Sequence, residues 1–243
     1  MFTPIYYVCI ACPTVERTLE MVDQYVRHGA FAFQIDLPSK NPFAETEFVK
    51  SMMKEAISHT QDYSVYMDGV REIRRRHPEL EIHIVVYNDV IDSIGLERFA
   101  DFCKEIGAAS LMIPGASAEN LLFLELEGFP VFRSVTHEMA EVRIRLAQAV
   151  GSRGIVSLRN RKPGEKDRPG FETFEKKYRY IVQERGVCAP VYAVFGIQTP
   201  EELAAVKKAG ARGAIIGNSL MRLWTDEEAC LKLLDGLQAL AEK

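Results

Sequence analysis

Short apolar runs alternate with longer amphipathic stretches from one end of the chain to the other. The runs cover residues 5–11, 30–37, 81–87, 110–114, 130–135, 154–158, 190–195 and 213–216, and each has the length of a β-strand. Between them, apolar residues recur with helical spacing over 15–27, 45–58, 64–76, 96–106, 118–127, 139–150, 171–185, 200–209 and 226–241. Several boundaries have local causes. Thr14 is placed to cap the first helix, Gly29 and Gly107 to stop helices, and Thr199-Pro200-Glu201 sets a capping hydroxyl ahead of a first-turn proline.

Runs such as Ile82-His83-Ile84-Val85-Val86 and Ala214-Ile215-Ile216 are apolar at nearly every position. That is the pattern of parallel strands covered on both faces, not of an antiparallel sandwich with one wet face. Eight strand–helix units in 243 residues, with no linker and no low-complexity stretch, predict an α/β chain folded as a single (β/α)8 TIM barrel. The single domain is expected to span 1–243, with an extra helix between strands two and three. No G-x-G-x-x-G follows the first strand, which argues against an open dinucleotide-binding sheet.

Composition narrows the class without choosing a function. With 47% hydrophobic and 26% charged residues the chain has ample material for a packed core, which excludes disordered and collagen-like classes. Thirty Lys and Arg against 34 Asp and Glu leave a net charge of -4, without the overall basic field of a nucleic-acid binder. The apolar start of the chain has no cationic leader, stops at Pro13 and is too short to span a bilayer, so a cytoplasmic protein with no membrane segment is expected. The five cysteines, Cys9, Cys12, Cys103, Cys188 and Cys230, are odd in number and scattered, a poor basis for a disulfide framework. Cys9 and Cys12 form a C-x-x-C, but a zinc site would lack its other ligands. A thioredoxin-like redox pair is the sharper reading of that motif, and two small side chains at the end of a buried strand is the ordinary one.

A barrel of this kind places its active site at the carboxyl ends of the strands. There Phe195-Gly196-Ile197 follows the seventh strand and Gly217-Asn218-Ser219 the eighth, the two places where such barrels hold phosphate. Gly164, after the sixth strand, is available for a third side. Either of the other glycines alone would serve an ordinary tight turn; the two together point to a phosphate group. The loop from Leu158 to Gly170 carries Arg159, Arg161, Lys162, Lys166 and Arg168, so it reads either as a lid that pairs with an anion or as a solvated basic loop. Arg74-Arg75-Arg76 ends a helix, where cations suit the dipole.

On the second strand, period two puts Gln34 and Asp36 on one face and Phe33, Ile35 and Leu37 on the other. An Asp36 facing the barrel mouth is a candidate general acid and base in a confined site; the alternative is a structural carboxylate that accepts loop N–H groups. Glu45 is either a second carboxylate within reach of the mouth or a first-turn helix acid. Tyr7 on the first strand, and Tyr87 with Asn88-Asp89 after the third, offer an aromatic wall and further polar groups, or plain core and turn. The five histidines, His28, His59, His77, His83 and His137, make no spaced ligand set and no H-E-x-x-H, so no metal site is expected. A serine-hydrolase elbow of the G-x-S-x-G type is also missing.

Four stretches together resemble a known family. They are Tyr6-Tyr7-Val8-Cys9-Ile10-Ala11-Cys12-Pro13, Phe33-Gln34-Ile35-Asp36-Leu37-Pro38-Ser39-Lys40-Asn41-Pro42-Phe43-Ala44-Glu45, Pro190-Val191-Tyr192-Ala193-Val194-Phe195-Gly196-Ile197-Gln198-Thr199-Pro200-Glu201 and Gly213-Ala214-Ile215-Ile216-Gly217-Asn218-Ser219. In order and spacing they resemble the alpha subunit of tryptophan synthase over nearly the whole chain. The resemblance implies a (β/α)8 barrel of tryptophan biosynthesis that cleaves indole-3-glycerol phosphate by a retro-aldol reaction to indole and glyceraldehyde 3-phosphate, uses no cofactor and pairs with a beta subunit. It also implies that Gly164, Gly196, Gly217 and Asn218 hold the phosphate, that Tyr7 lines the indole pocket and that Arg159 belongs to the mobile loop.

The catalytic pair departs from the family's pattern. Gln34 stands where the family has a glutamate acting as general acid and base, Glu45 where it has an aspartate that contacts the indole nitrogen, and Asp36 where it has glycine. An amide cannot shuttle a proton. Three readings follow. The chain is a lyase of the tryptophan synthase alpha type in which Asp36 has taken over acid–base work, an aldolase or isomerase that uses Asp36 on another small phosphorylated substrate, or a catalytically silent homologue that binds a phosphorylated ligand or a beta-like partner as a regulatory subunit. The expected site is therefore Asp36, Glu45 and Gln34 for catalysis, with Tyr7, Tyr87, Arg159, Gly164, Gly196, Gly217 and Asn218 for substrate.

Overall fold

Strand and helix alternate throughout a computed structural model that describes residues 2–160 and 165–241. The strands are β1 (Thr3–Cys9), β2 (Ala32–Asp36), β3 (Glu81–Val85), β4 (Ser110–Met112), β5 (Phe132–Val135), β6 (Ile155–Arg159), β7 (Val191–Val194) and β8 (Gly213–Ile216). The helices that position the candidate residues are α1 (Val15–Arg27), α2 (Glu47–His59), α3 (Tyr63–Arg76), α4 (Asn88–Ile94), α5 (Leu96–Glu105), α6 (Ala118–Leu126), α7 (Glu141–Ala149), α8 (Phe174–Arg179), α9 (Pro200–Ala209), α10 (Asn218–Met221) and α11 (Glu227–Ala241). The strands form one eight-stranded sheet in the order β4-β3-β2-β1-β8-β7-β6-β5. Registers such as Gln34 opposite His83 and Ser134 opposite Ser157 are parallel. This is the (β/α)8 barrel fold, and with α2 and α3 both between β2 and β3 that crossover has one helix more than a simple β/α unit.

The local causes read from the sequence operate in the structure. Thr14 accepts from the Arg17 N–H at 3.1 Å, and Thr199 and Glu202 form a reciprocal capping box at the start of α9. β1 lies two residues ahead of its apolar run, because the run continues into a turn in which Ala11 takes a φ of 61°. The helix expected over 171–185 starts later, at Phe174, where Thr173 caps it, and finishes as a π-helical turn over Tyr180–Glu184. α4 replaces the simple turn that Tyr87-Asn88-Asp89 suggests.

Two compact units divide the chain, Tyr6–Val131, and Met1–Ile5 with Phe132–Lys243. In the first, the rings of Tyr6, Tyr25 and Phe33 pack together at centroid distances of 5.9 to 6.3 Å, so the Phe33 and Ile35 face of β2 is turned toward α1. Gln34 and Asp36 accordingly occupy its opposite face. In the second unit Val135, Ile144, Val156, Leu158, Ile181 and Val191 share one apolar core; full burial of such a side chain is worth about 1.5–3 kcal/mol. Gly213 opens β8 where a Cβ would lie 2.1 Å from the Thr3 carbonyl oxygen, so only glycine fits. Among the described residues no helix is long and apolar enough to cross a membrane.

Candidate active site

The Tyr6–Val131 unit holds an acid cluster at the end of β2. Main-chain bonds fix that end on both sides: Ile10 N–H donates to the Asp36 carbonyl at 3.0 Å, and Leu37 N–H donates to the Val85 carbonyl at 3.2 Å. The Asp36 side chain is fully buried. Its Oδ2 accepts from the Tyr7 hydroxyl at 2.8 Å, while its Oδ1 has no hydrogen-bond partner among the described residues. Burial pushes the Asp36 carboxyl well above the usual carboxylate range, the nearby Glu45 charge pushes it further, and the Tyr7 hydrogen bond pulls the other way. With Oδ2 already accepting from Tyr7, Oδ1 is the oxygen left open to a further partner. Tyr7 is also pushed up, first by burial and then by Asp36 and Glu45, so it acts as a donor and does not ionise.

Glu45 lies in the loop between β2 and α2. Thr46 caps α2 by accepting from the Val49 N–H at 3.4 Å, which puts Glu45 just outside the helix and not in its first turn. Its Oε1 accepts from the Tyr87 hydroxyl at 3.2 Å. Burial raises the Tyr87 phenol, with the Glu45 charge adding to it. Phe43 packs edge-on against Tyr87 with centroids 5.4 Å apart, so this stretch of loop leans on one buried ring. Asp89 pins the start of the same loop, accepting from Ser39 Oγ at 2.8 Å and from the Lys40 N–H at 3.0 Å. Sequence reading gave Asp89 no such role; its only cue was a polar pair after β3.

Gln34 shares the face of Asp36 and is buried, and its Nε2 stands 4.0 Å from Met112 Sδ. Beside it on β3, His83 places Nδ1 at 2.6 Å from Ser110 Oγ, and its Nε2 lies 3.0 Å from Glu81 Oε1. Tyr7 with Asp36, and Glu45 with Tyr87, are thus the predicted residues that this unit brings together.

The second unit, taken by itself, carries the glycine turns. After β7, Phe195 and Gly196 both take positive φ, 65° and 74°, and a Cβ on Gly196 would lie 3.4 Å from Asn160 Cβ. After β8, Gly217 precedes α10, and the N–H groups of Leu220 and Met221 return to its carbonyl at 3.0 and 2.9 Å. Ser219 Oγ donates to the Ile197 carbonyl at 3.2 Å and ties the two turns together. Asn218 is the first residue of α10. Arg159 is the last residue of β6 and so stands at the strand end, ahead of the loop. Its Nη2 donates to Glu165 Oε1 at 2.6 Å and lies 3.3 Å from His137 Nδ1, with the guanidinium 5.5 Å from the centroid of the Phe195 ring. Farther along, a buried ion pair joins Lys177 Nζ to Asp167 Oδ1 at 2.6 Å, and Arg168 donates to the Met139 carbonyl at 3.2 Å. Gly164, with Arg161 and Lys162, lies outside the described residues.

Fold and side chains together define a (β/α)8 barrel protein with a buried acid cluster at a strand end and glycine turns after its last two strands. The sequence pattern of the tryptophan synthase alpha chain matches residues 3–124, just over half of the chain, and the chain belongs to that family. The tryptophan synthase alpha chain of Vibrio vulnificus is 25% identical over 227 residues, covering 91% of this chain and 83% of its own. That of Citrobacter koseri is 24% identical over 227 residues, covering 89% and 82%. Among solved structures, the tryptophan synthase complex from Pyrococcus furiosus superposes with a TM-score of 0.80 at 19% identity, over 98% of both chains. Tryptophan synthase subunit alpha from Legionella pneumophila gives 0.80 at 19% identity, over 99% of this chain and 93% of that one. These structural likenesses are of fold.

Proposed function

We propose that the chain is a carbon–carbon lyase of the tryptophan synthase alpha type that cleaves indole-3-glycerol phosphate, with Asp36 as its general acid and base. The buried Asp36 carboxyl, with one oxygen bonded to Tyr7 and the other free, is the observation that carries this reading. Retro-aldol cleavage needs a proton delivered to the ring carbon that will lose its side chain, and a proton taken from the hydroxyl of the neighbouring carbon. A neutral Asp36 supplies the first from Oδ1 and, as the carboxylate so formed, accepts the second, ending as it began. The carbon–carbon bond breaks between these events, with its electrons returning to the ring and the hydroxyl carbon becoming an aldehyde. Tyr7 holds the Oδ2 side throughout. Glu45 serves as acceptor for the ring N–H, and Tyr87 orients it. The turns at Gly196 and Gly217, with Asn218 and Arg159, and with Gly164 by resemblance, hold the phosphate. None of these steps calls for a cofactor. A tryptophan synthase beta subunit is the proposed partner, in line with the similar structure from Pyrococcus furiosus being a tryptophan synthase complex.

Release of indole from indole-3-glycerol phosphate, assayed with and without a beta subunit, tests the proposal. Turnover in either condition supports it. Gln34, an amide where the family has its acid–base glutamate, favours a second reading: an aldolase or isomerase acting through Asp36 on another small phosphorylated substrate. Phosphate binding without indole release favours that reading or a catalytically silent homologue that binds a phosphorylated ligand.

A further inference from the structure

Cys9 ends β1 and Cys12 lies three residues on, and neither takes part in the proton transfers proposed above. The turn between them is tight. Cys12 N–H donates to the Cys9 carbonyl at 3.3 Å, and Ala11 is held at a φ of 61°, a conformation that a residue with a Cβ adopts only under constraint. The turn brings the two Sγ atoms to 2.7 Å, and both thiols are free and fully buried. A disulfide bond needs about 2.05 Å, so the two sulfurs stand within a short approach of bonding distance.

We propose that Cys9 and Cys12 form a reversible intrachain disulfide, a redox site next to the acid cluster. The oxidant is hydrogen peroxide, which burial admits in preference to bulky disulfides. One sulfur attacks the O–O bond, giving a sulfenic acid and water. The second thiol then displaces the sulfenic oxygen as a second water and forms the S–S bond. In sum, two thiols and one peroxide give one disulfide and two waters, and a dithiol reductant reverses the reaction by exchange. Burial pushes the Cys9 thiol up, so oxidation is slow and the reduced pair is the resting form. The pair is coupled to the acid cluster in two ways. Ile10, between the cysteines, donates its N–H to the Asp36 carbonyl, and Cys12 and Cys9 act electrostatically on Asp36 and Tyr7 respectively. The proposal does not rest on the lyase reading.

The test uses Cys188→Ser protein, since Cys188 is exposed and would cross-link molecules. After hours in hydrogen peroxide and removal of the oxidant, alkylation in urea should show two of the four remaining thiols lost, and the intact mass before alkylation should be lowered by about 2 Da. The change should map to the peptide holding Cys9 and Cys12, and dithiothreitol should reverse it. Four thiols surviving peroxide overturns the proposal, as does separate over-oxidation of the two sulfurs without the mass loss.

Discussion

The surroundings of Asp36 favour its protonated form: it is buried, and the groups that act on it electrostatically, Glu45, Cys12 and Asp89, are all acidic. Its carboxyl is therefore raised in the folded chain relative to the unfolded one. A group raised on folding contributes its full stability below the unfolded pKa, about 3.9 for aspartate, and loses it as pH rises through the folded value. Asp36→Asn removes that loss. Urea unfolding of the two proteins should show the variant gaining stability on wild type between pH 4 and pH 7; parallel curves over that range would mean that Asp36 ionises freely. Period two on β2 made the shared face of Gln34 and Asp36 legible in the sequence. The Tyr7 bond and the orphan oxygen were not, because both depend on how β1 and β2 lie side by side. Arg159 was legible as a cation, but its pairing with Glu165 depends on the path of a loop that no periodicity describes.

Elements followed the sequence wherever a local cause existed. Thr199 announces α9 by its own chemistry, and Thr199→Ala should cost about 1 kcal/mol, read as a shift in unfolding midpoint at constant slope. α4 was hidden because Asn88 and Asp89 favour turns as much as first helical turns. Lys177 was hidden for a different reason: a lysine on an amphipathic helix reads as solvated, yet here it is buried against Asp167. Lys177→Met should therefore cost about 3–5 kcal/mol by leaving Asp167 buried without its cation, and joint replacement of Lys177 and Asp167 by apolar residues should recover most of that. If the single variant is harmless, the pair is solvated in solution. Gly213→Ala should destabilise by about 1–3 kcal/mol or more, since its Cβ meets a main-chain oxygen that cannot rotate away.

For the whole molecule, eight strand–helix units were countable from the sequence, and they gave the fold because parallel strands and covering helices differ in period. Residues 3–124, which carry the family pattern, include β1 and β2 with the acid cluster, while the glycine turns lie beyond them. Phosphate recognition by those turns predicts that glycerol phosphate raises the melting temperature, by the equivalent of about 2.7 kcal/mol at one hundred times its dissociation constant. No shift at saturating concentration would remove the phosphate from the account. The fold and the family leave open which carboxyl moves the proton, since by resemblance Gln34 stands at the position of the family's glutamate and Asp36 at that of a glycine. Indole release from indole-3-glycerol phosphate by wild type and by Asp36→Asn, each with a beta subunit present, addresses that directly. The predicted result is turnover by wild type and a fall of about 10²–10⁴-fold in the variant; equal turnover by the two proteins would contradict the assignment of Asp36 as the acid and base.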